Sequence, residues 1–198
     1  QFIAKTIGFT DQYPYAIIQD YQPQKSLHHV LYKSSFYLTS SHRNLIAMCV
    51  AFALYKMHDF RYIHHNLTSS HILLDQYFLP HISSLGFSST PESSTGFRQN
   101  LTYVAPELLT GFEATEKVDV YSYGMILYEL LTNHPPFEFC SPIEIQSRLL
   151  KKEPSMPELP VGTPEPLKNL ICSCWARDPQ SRPSFQEIYE KFSNEEVY

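Results

Sequence analysis

Four histidines stand within 14 residues of the chain, at positions His58, His64, His65 and His71. Imidazole nitrogens bind zinc-like metals, and they also exchange protons near neutral pH. Taken alone, this group of side chains permits a metal site.

Hydroxyl side chains dominate residues 83–100, which hold few large apolar residues. A loop of this length inside a compact domain is often functional, and we predict that it is exposed. Phosphorylation would add charge and order the loop, and the alternative is a solvated loop without a regulatory role. The candidate phosphorylation sites are Ser88, Ser89, Thr90, Ser93, Ser94 and Thr95.

The overall composition favours a single cytoplasmic domain. The 198 residues are 43% hydrophobic, which is enough for one sizeable core. The net charge is −5 and no lysine or arginine run stands out, so we expect neither nucleic-acid nor membrane binding. The four cysteines follow no regular framework and are expected to be reduced. Because the chain begins at Gln1, we expect it to be a piece of a longer protein.

The first half of the chain alternates extended and helical patterns. Residues 2–8 and 15–20 carry apolar and aromatic residues around a turn, which predicts two strands. Apolar residues then recur at helical spacing, which predicts a helix between residues 40 and 59. Two short strands are predicted at residues 71–74 and 78–82.

The second half is typical of helices packed around one apolar helix. Residues 118–131 leave almost no polar face, and a helix that is apolar all round is buried on every side. Further helices are predicted to begin at Ser141 and Ser184, because each serine is followed three residues later by a glutamate that completes a capping box. Residues 167–175 predict one more helix. These patterns leave the function open.

Four segments, in this order, resemble protein kinases. YVAPE at residues 103–107 is similar to the Y-x-A-P-E that closes the family's activation segment, and DVYSYG at residues 119–124 is similar to the D-V-W-S-F-G that opens its central helix. CWARDPQSRPSF at residues 174–185 is similar to C-W-x-x-D-P-x-x-R-P-S-F. Residues 18–21 resemble the strand and hinge between the two lobes. The YVAPE form favours the tyrosine-kinase-like group, and the resemblance covers nearly the whole chain.

The resemblance implies an α+β, protein-kinase-like fold, mainly the α-helical C-lobe with a remnant of N-lobe strands and hinge. Residues 1–198 would form one truncated domain. Within it, the resemblance implies N-lobe strands at 1–20, a hinge at 21–26, the helical C-lobe at 27–193 and an activation segment at about 83–107. The candidate nucleotide-hinge residues are Gln19, Asp20, Tyr21 and Gln22.

The family's catalytic positions are occupied by other residue types in this chain. HHNLTSSH at residues 64–71 is similar to the catalytic loop H-R-D-x-x-x-x-N, so Asn66 stands at the position of the catalytic base. His71 and Ser84 stand where the family has its two metal ligands, the second within D-F-G. His65, Thr68 and Asn100 also depart from residues that support the family's catalytic Asp or its activation loop.

These replacements remove the chemistry that phosphoryl transfer requires. The amide of Asn66 cannot take up a proton at neutral pH, and general-base help contributes roughly 10² to 10⁴ in rate. Mg²⁺ prefers charged oxygen ligands, whereas Ser84 offers a neutral hydroxyl and His71 a nitrogen better suited to zinc-like metals. We therefore predict that Asn66, His71 and Ser84 are degenerate positions without catalytic activity.

Four other residues would keep structural roles that the resemblance implies. His64 would be the core histidine beneath the catalytic loop, so we expect no metal site in the histidine group. Glu107 and Arg182 would form a buried ion pair, and the alternative is two solvated charges. Asp119 would cap the backbone of the catalytic loop, and the alternative is an ordinary acidic residue at a helix start.

The resemblance and the replacements together predict a pseudokinase that acts in signalling by binding or scaffolding other proteins, an active kinase among them. The alternatives are a divergent active ATP-dependent serine/threonine kinase of the tyrosine-kinase-like group, or a non-functional fragment. ATP and Mg²⁺ are expected only if an N-lobe ahead of residue 1 supplies the phosphate-binding elements. Without that lobe, apolar strand surface is expected to be exposed at Phe2, Ile3, Tyr15 and Ile17.

Overall fold

Seven helices and two small antiparallel sheets make up the part of the chain that the computed structural model describes, residues 2–84, 100–151, 155–194 and 197. The architecture is α+β, as the sequence predicts. The strands are β1 (Thr6–Phe9), β2 (Ile17–Gln19), β3 (Ile72–Leu74) and β4 (Pro80–Ile82), with β1 paired to β2 and β3 to β4. The helices are α1 (Leu27–Tyr32), α2 (Ser40–Asp59), α3 (Pro106–Leu109), α4 (Lys117–Thr132), α5 (Pro142–Leu149), α6 (Glu165–Cys174) and α7 (Phe185–Ser193).

Helix α4 lies at the centre of the fold because nearly all of its surface is apolar, and the buried helix predicted here is confirmed. Gly124 faces α6 at their closest approach. A Cβ at this position would lie 2.6 Å from Nε1 of Trp175 and 2.9 Å from Cβ of Cys174, so only glycine permits this packing. The helix ends at Asn133, whose left-handed backbone (φ 58°) stops the helical repeat.

Helix α2 packs between α4 and α7, and the bounds predicted for it are confirmed. Thr39 caps its first turn by accepting a main-chain N–H. The rings of Phe52 on α2 and Tyr189 on α7 lie 5.0 Å apart, and the rings of Tyr123 on α4 and Phe185 on α7 lie 5.3 Å apart. Aromatic pairs at these distances contribute packing energy beyond their buried area.

Helices α5 and α7 begin at the two predicted capping boxes, which are confirmed. The main-chain N–H of Ser141 donates to the Glu144 carboxylate over 2.7 Å, and that of Ser184 donates to the Glu187 carboxylate over 2.7 Å. Each serine hydroxyl accepts the glutamate main-chain N–H in return. Hydrogen bonds from Ser141 lower the pKa of Glu144, and those from Ser184 lower the pKa of Glu187.

Sheet β3–β4 is extended on both sides by segments from the start of the chain. The main-chain N–H of Ala4 donates to the Ile82 carbonyl over 2.8 Å. On the opposite side, the main-chain N–H of Leu74 donates to the Lys25 carbonyl over 2.7 Å. The strand pair therefore ties the N-terminal strands to the helical body.

The predicted strands at 71–74 and 78–82 begin later than expected. His71 belongs to a 3₁₀ turn, Ser69–His71, because its main-chain N–H donates to the Thr68 carbonyl. Phe78 has a left-handed backbone, φ 62°, which no strand accommodates. Helix α1 is an element that the sequence patterns do not predict, and Ser26 caps it by accepting the N–H of His29 over 3.2 Å.

Hairpin β1–β2 exposes apolar side chains, as predicted for Ile3, Tyr15 and Ile17. The prediction is wrong for Phe2, which is half-buried because its ring packs edge-on against Phe52, with centroids 6.1 Å apart. None of the helices among the described residues is long and apolar enough to cross a membrane.

Candidate functional site

The loop at residues 64–71 links α2 to β3, and a single carboxylate at the start of α4 holds its backbone. Asp119 accepts the main-chain N–H of His64 over 2.7 Å and that of His65 over 2.9 Å. Nε2 of His58, at the end of α2, lies 2.9 Å from the same carboxylate. His65 has a left-handed backbone, φ 62°, and such strain persists only when surrounding contacts determine it. The Asp119 carboxylate supplies those contacts.

Asp119 is fully buried and ionised. Burial by itself raises the pKa of this carboxyl group, but the hydrogen bond with His58 and the main-chain N–H of His64 outweigh it and lower the pKa below the usual range. A buried carboxylate that accepts several N–H groups is stable in its charged form. The Asp119 side chain therefore acts as a fixed anion beneath the loop.

His64 is fully buried, and its hydrogen bonds define a neutral tautomer. The main-chain N–H of Asn66 donates to Nδ1 of His64 over 3.2 Å, so Nδ1 is the acceptor nitrogen. Nε2 then carries the proton and donates to the Ser83 carbonyl over 2.9 Å. Burial lowers the pKa of His64, which favours this neutral form. The His64 side chain therefore joins the loop at 64–71 to Ser83, the residue that follows β4.

His71 contacts Asn66 and also Ser83, the residue before Ser84. Nδ1 of His71 lies 2.7 Å from the Asn66 carbonyl and donates to it. The His71 carbonyl accepts the main-chain N–H of Ser83 over 2.8 Å, and Ser84 follows with a left-handed backbone, φ 63°. The hydrogen bonds of His71 therefore join Asn66 to the segment that leads into Ser84.

The side chains at the three predicted catalytic positions are not suited to binding Mg²⁺. They comprise an amide, an imidazole and a hydroxyl, from Asn66, His71 and Ser84, and none carries the negative charge that Mg²⁺ ligands normally supply. Among the described residues, no three His, Cys, Asp or Glu side chains converge to hold a metal ion. The histidine group is divided, with His58 and His64 at Asp119 and His71 at the Asn66 carbonyl.

Thr68 and Asn100, two further departures from the family pattern, are engaged locally. Oγ1 of Thr68 lies 3.2 Å from Nδ1 of His71. The Asn100 side chain accepts the main-chain N–H of Thr102 over 3.2 Å and caps the 3₁₀ turn Leu101–Tyr103. Neither side chain supplies a charge near Asn66.

Glu107 and Arg182 form a bidentate ion pair inside the helical body. Nη1 and Nη2 of Arg182 lie 2.7 and 2.8 Å from the two carboxylate oxygens of Glu107. The guanidinium also donates to the carbonyls of Ala176 and Lys117, and it stacks 5.2 Å from the ring centre of Tyr121. Because each nitrogen of the guanidinium donates to at least one acceptor and the carboxylate lies against it, the buried charge is compensated. The pair fastens α3 to the turn before α7.

The hinge residues run from the end of β2 to the start of α1. Gln19 pairs with Thr6 in the hairpin, and the main-chain N–H of Asp20 donates to the Lys5 carbonyl over 3.0 Å. Tyr21 is exposed, and the Gln22 carbonyl accepts the N–H of Lys25 over 3.0 Å. This segment lies beside β3.

The six predicted phosphorylation sites, and residues 85–86 of the D-F-G-like segment, fall outside the described residues.

Glu129 is a buried acid that the sequence reasoning missed. It lies on α4 and is fully buried, and its Oε1 accepts hydrogen bonds from Tyr32 and Ser69, each over 2.8 Å. The Tyr103 hydroxyl lies 3.1 Å from that of Ser69. Oε2 has no hydrogen-bond partner in the part of the chain that the structure describes. The network joins α1, the loop at 64–71, the YVAPE segment and α4.

Burial raises the pKa of Glu129 to about 7, and the hydrogen bonds from Ser69, Tyr32 and Tyr103 oppose the shift only in part. A carboxyl group with a raised folded-state pKa stabilises the fold below its unfolded pKa, and this contribution is lost as the pH rises through the folded pKa. We expect the free energy of unfolding to fall by roughly 3 kcal/mol between pH 4.5 and 7.5 because of this group.

Urea denaturation of the native protein and of Glu129→Gln across this pH range measures the effect. The neutral glutamine resembles the protonated acid, so the variant should be the more stable protein at pH 8, and the advantage should vanish below pH 4.5. Parallel pH profiles for the two proteins would contradict the assignment.

Comparisons with known proteins agree with this geometry. The family model described as protein tyrosine and serine/threonine kinase matches residues 1–192. The chain belongs to this family, and its fold is that of a protein kinase domain.

Relatives with the same fold carry kinase names. A probable serine/threonine-protein kinase of Dictyostelium discoideum is 33% identical over 187 residues, which cover 88% of this chain and 14% of that protein. Dual specificity protein kinase pyk3 of the same organism is 32% identical over 177 residues, 88% of this chain and 13% of that protein. Serine/threonine/tyrosine-protein kinase HT1 of Arabidopsis thaliana is 32% identical over 178 residues, 88% of this chain and 45% of that protein. The chain spans less than half the length of these curated relatives.

Proposed function

We propose that this chain is a catalytically impaired protein-kinase-like domain, a pseudokinase, which acts in signalling by binding or scaffolding other proteins. One observation carries the proposal: Asn66, His71 and Ser84 stand at the sequence positions that resemble the family's base and metal ligands, and none of them is an acid. Phosphoryl transfer depends on positioning and on charge neutralisation around the nucleotide. The position of the base holds an amide, which takes up no proton at neutral pH, and none of the three side chains is a negatively charged metal ligand.

The residues that stabilise the kinase fold support the same proposal. Asp119 still holds the loop backbone, and the Glu107–Arg182 pair is intact. Residues that hold the fold are present while residues that perform the chemistry are replaced. A domain used for protein binding needs the first set and has no use for the second. The proposed partners are proteins in the cytoplasm, with an active kinase as one candidate.

A divergent active kinase is the competing function, and the names of the relatives favour it, because each of them is called a kinase. The two functions differ in what the Asn66 side chain does. In an active enzyme, Asn66 would have to orient the attacking hydroxyl, and its removal would abolish transfer. In a pseudokinase, its removal leaves partner binding unchanged.

Nucleotide binding and phosphate transfer by the full-length protein test the proposal. We expect no Mg²⁺-dependent thermal shift with ATP and no phosphate transfer above background. Ligand at 100 times its dissociation constant would stabilise the protein by roughly 2.7 kcal/mol, which a thermal melt detects readily. Phosphate transfer that disappears in Asn66→Ala would overturn the proposal.

A restoration variant sharpens this test. Asn66→Asp, His71→Asn and Ser84→Asp together return the acids and the amide that the family uses. We expect this triple variant to show a stronger Mg²⁺-dependent stabilisation by ATP than the native protein. Ser70→Asp is the matched control, since Ser70 is an exposed residue of the same loop that stands at no predicted metal position.

A further inference from the structure

Helix α5 carries an exposed apolar stripe on the side opposite its buried face. Ile145 and Leu149 point into the core, whereas Ile143 is 79% exposed and Leu150, at the end of the helix, is 40% exposed. Residues seven apart lie on one face of a helix, so Ile143 and Leu150 line the same stripe. Phe139, two residues before the cap of α5, is 94% exposed. Exposed apolar side chains that lie next to one another are a feature of interaction sites.

A groove opens at the far end of the same helix. Its volume is about 560 Å³, and Phe112, which is 70% exposed, forms one wall. Two prolines, Pro106 and Pro179, and the end of α5 at Leu149 and Leu150 complete the apolar lining. The α5 surface therefore pairs a projecting aromatic ring at one end with an apolar groove at the other. We use the name α5 surface for Phe139, Ile143, Leu150 and this groove.

The charged residues on and beside α5 are also divided between the two ends of the helix. Glu138 and Glu144 flank the end with the projecting ring, and both are exposed. Arg148 and Lys151 flank the end with the groove, and both are exposed as well. Two α5 helices that lie side by side in opposite directions would match acid with base at each end. Parallel helices would oppose like charges.

We propose that two copies of this chain associate through their α5 surfaces across a two-fold axis, with the helices antiparallel. The two-fold places Phe139 of each copy at the groove of the other, and Ile143 of one against Leu150 of the other. The axis then crosses near Ser147, midway along the stripe. An interface of this kind is self-complementary and closed, so it yields a dimer rather than a fibre.

The patch formed by one short helix and its two ends is small. Specific interfaces bury about 1,200 Å² or more in total, and smaller ones belong to weak and transient complexes. The proposed dimer is therefore weak and reversible. This association is independent of the proposed pseudokinase function, because none of its residues belongs to the loop at 64–71.

Sedimentation velocity of the full-length protein over a range of concentrations tests the dimer. Phe139→Asp would place a charge in the apolar groove, so we expect the dissociation constant to rise at least about 10-fold. Phe60→Asp is the matched control, because Phe60 is a phenylalanine that is 73% exposed and lies at the end of α2, outside the α5 surface. The control should leave the dissociation constant unchanged. Both positions are exposed, so neither change removes core packing.

Two further variants report on the geometry. Phe112→Lys combined with Phe139→Asp places opposite charges at the ring and groove positions, and it should recover part of the affinity that Phe139→Asp loses. Ser147→Cys lies at the proposed axis and should form a disulfide between copies under mild oxidation, whereas Ser35→Cys, an exposed site outside the α5 surface, should not. A protein that stays monomeric at all concentrations would overturn the proposal, as would a dimer that Phe139→Asp leaves intact.

Discussion

Arg182→Met should lower the free energy of unfolding by about 3–5 kcal/mol, because it leaves the Glu107 carboxylate without its partner. The guanidinium is almost completely buried, and it bonds both carboxylate oxygens as well as two main-chain carbonyls. Breaking one side of a buried pair costs far more than the pair itself contributes, since the remaining charge stays in a poorly solvating environment. Urea denaturation followed by tryptophan fluorescence at Trp175 measures the loss.

Two controls separate this effect from a general loss of charge. Lys168→Met breaks the exposed pair with Glu165, whose side-chain atoms lie 3.6 Å apart, and should cost less than about 1 kcal/mol. Glu107→Gln in the Arg182→Met background removes the orphaned charge and should recover part of the loss. A cost for Arg182→Met no larger than that of the surface control would show that the buried pair contributes little.

Asp119→Ala is expected to destabilise the protein by at least about 3 kcal/mol. The change leaves the main-chain N–H groups of His64 and His65 without an acceptor, and each unsatisfied buried donor costs about 1–3 kcal/mol. His58 loses its partner at the same time. The left-handed backbone of His65 then lacks the contacts that hold it.

Hydrogen exchange gives a local readout of this loop. The amides of His64 and His65 should exchange faster in Asp119→Ala, while the control Asp59→Ala, at an exposed site on α2, should stay within about 0.5 kcal/mol of the native protein. The folded-state pKa of Asp119 is lowered, so its contribution is present above the ordinary pKa of an aspartate and is lost as the pH falls through the folded value. A gap between the native protein and Asp119→Ala that persists at low pH would argue against a role for the charge.

The retained frame and the altered site rely on different kinds of residue. Asp119 and Arg182 stabilise the fold through contacts that are needed whether or not a nucleotide binds. Asn66 contributes its main-chain carbonyl and N–H to the described contacts, and His71 contributes its imidazole through the bond to that carbonyl. The contacts of Asp119 and Arg182 therefore stabilise the kinase fold independently of the residue types at these three positions.

Local patterns in the sequence were sufficient for most helices. The serine and glutamate pairs at the starts of α5 and α7 act within one turn, and the apolar character of α4 depends only on its own residues. Both signals are visible without knowing what the helix packs against. Helix α1 escaped detection because six residues are too few for a periodic pattern.

The sequence alone determined the class of fold, and it predicts altered residues at the catalytic positions, since both depend on residue type and order along the chain. Only the tertiary structure decided the environment of Glu129, whose hydrogen-bond partners Tyr32 and Ser69 lie 97 and 60 residues away. It also decided that Phe2 is covered by Phe52, and that Phe139 and the groove at Phe112 lie at opposite ends of one helix. Burial and contact between distant segments are properties of packing, and a one-dimensional pattern carries no distances.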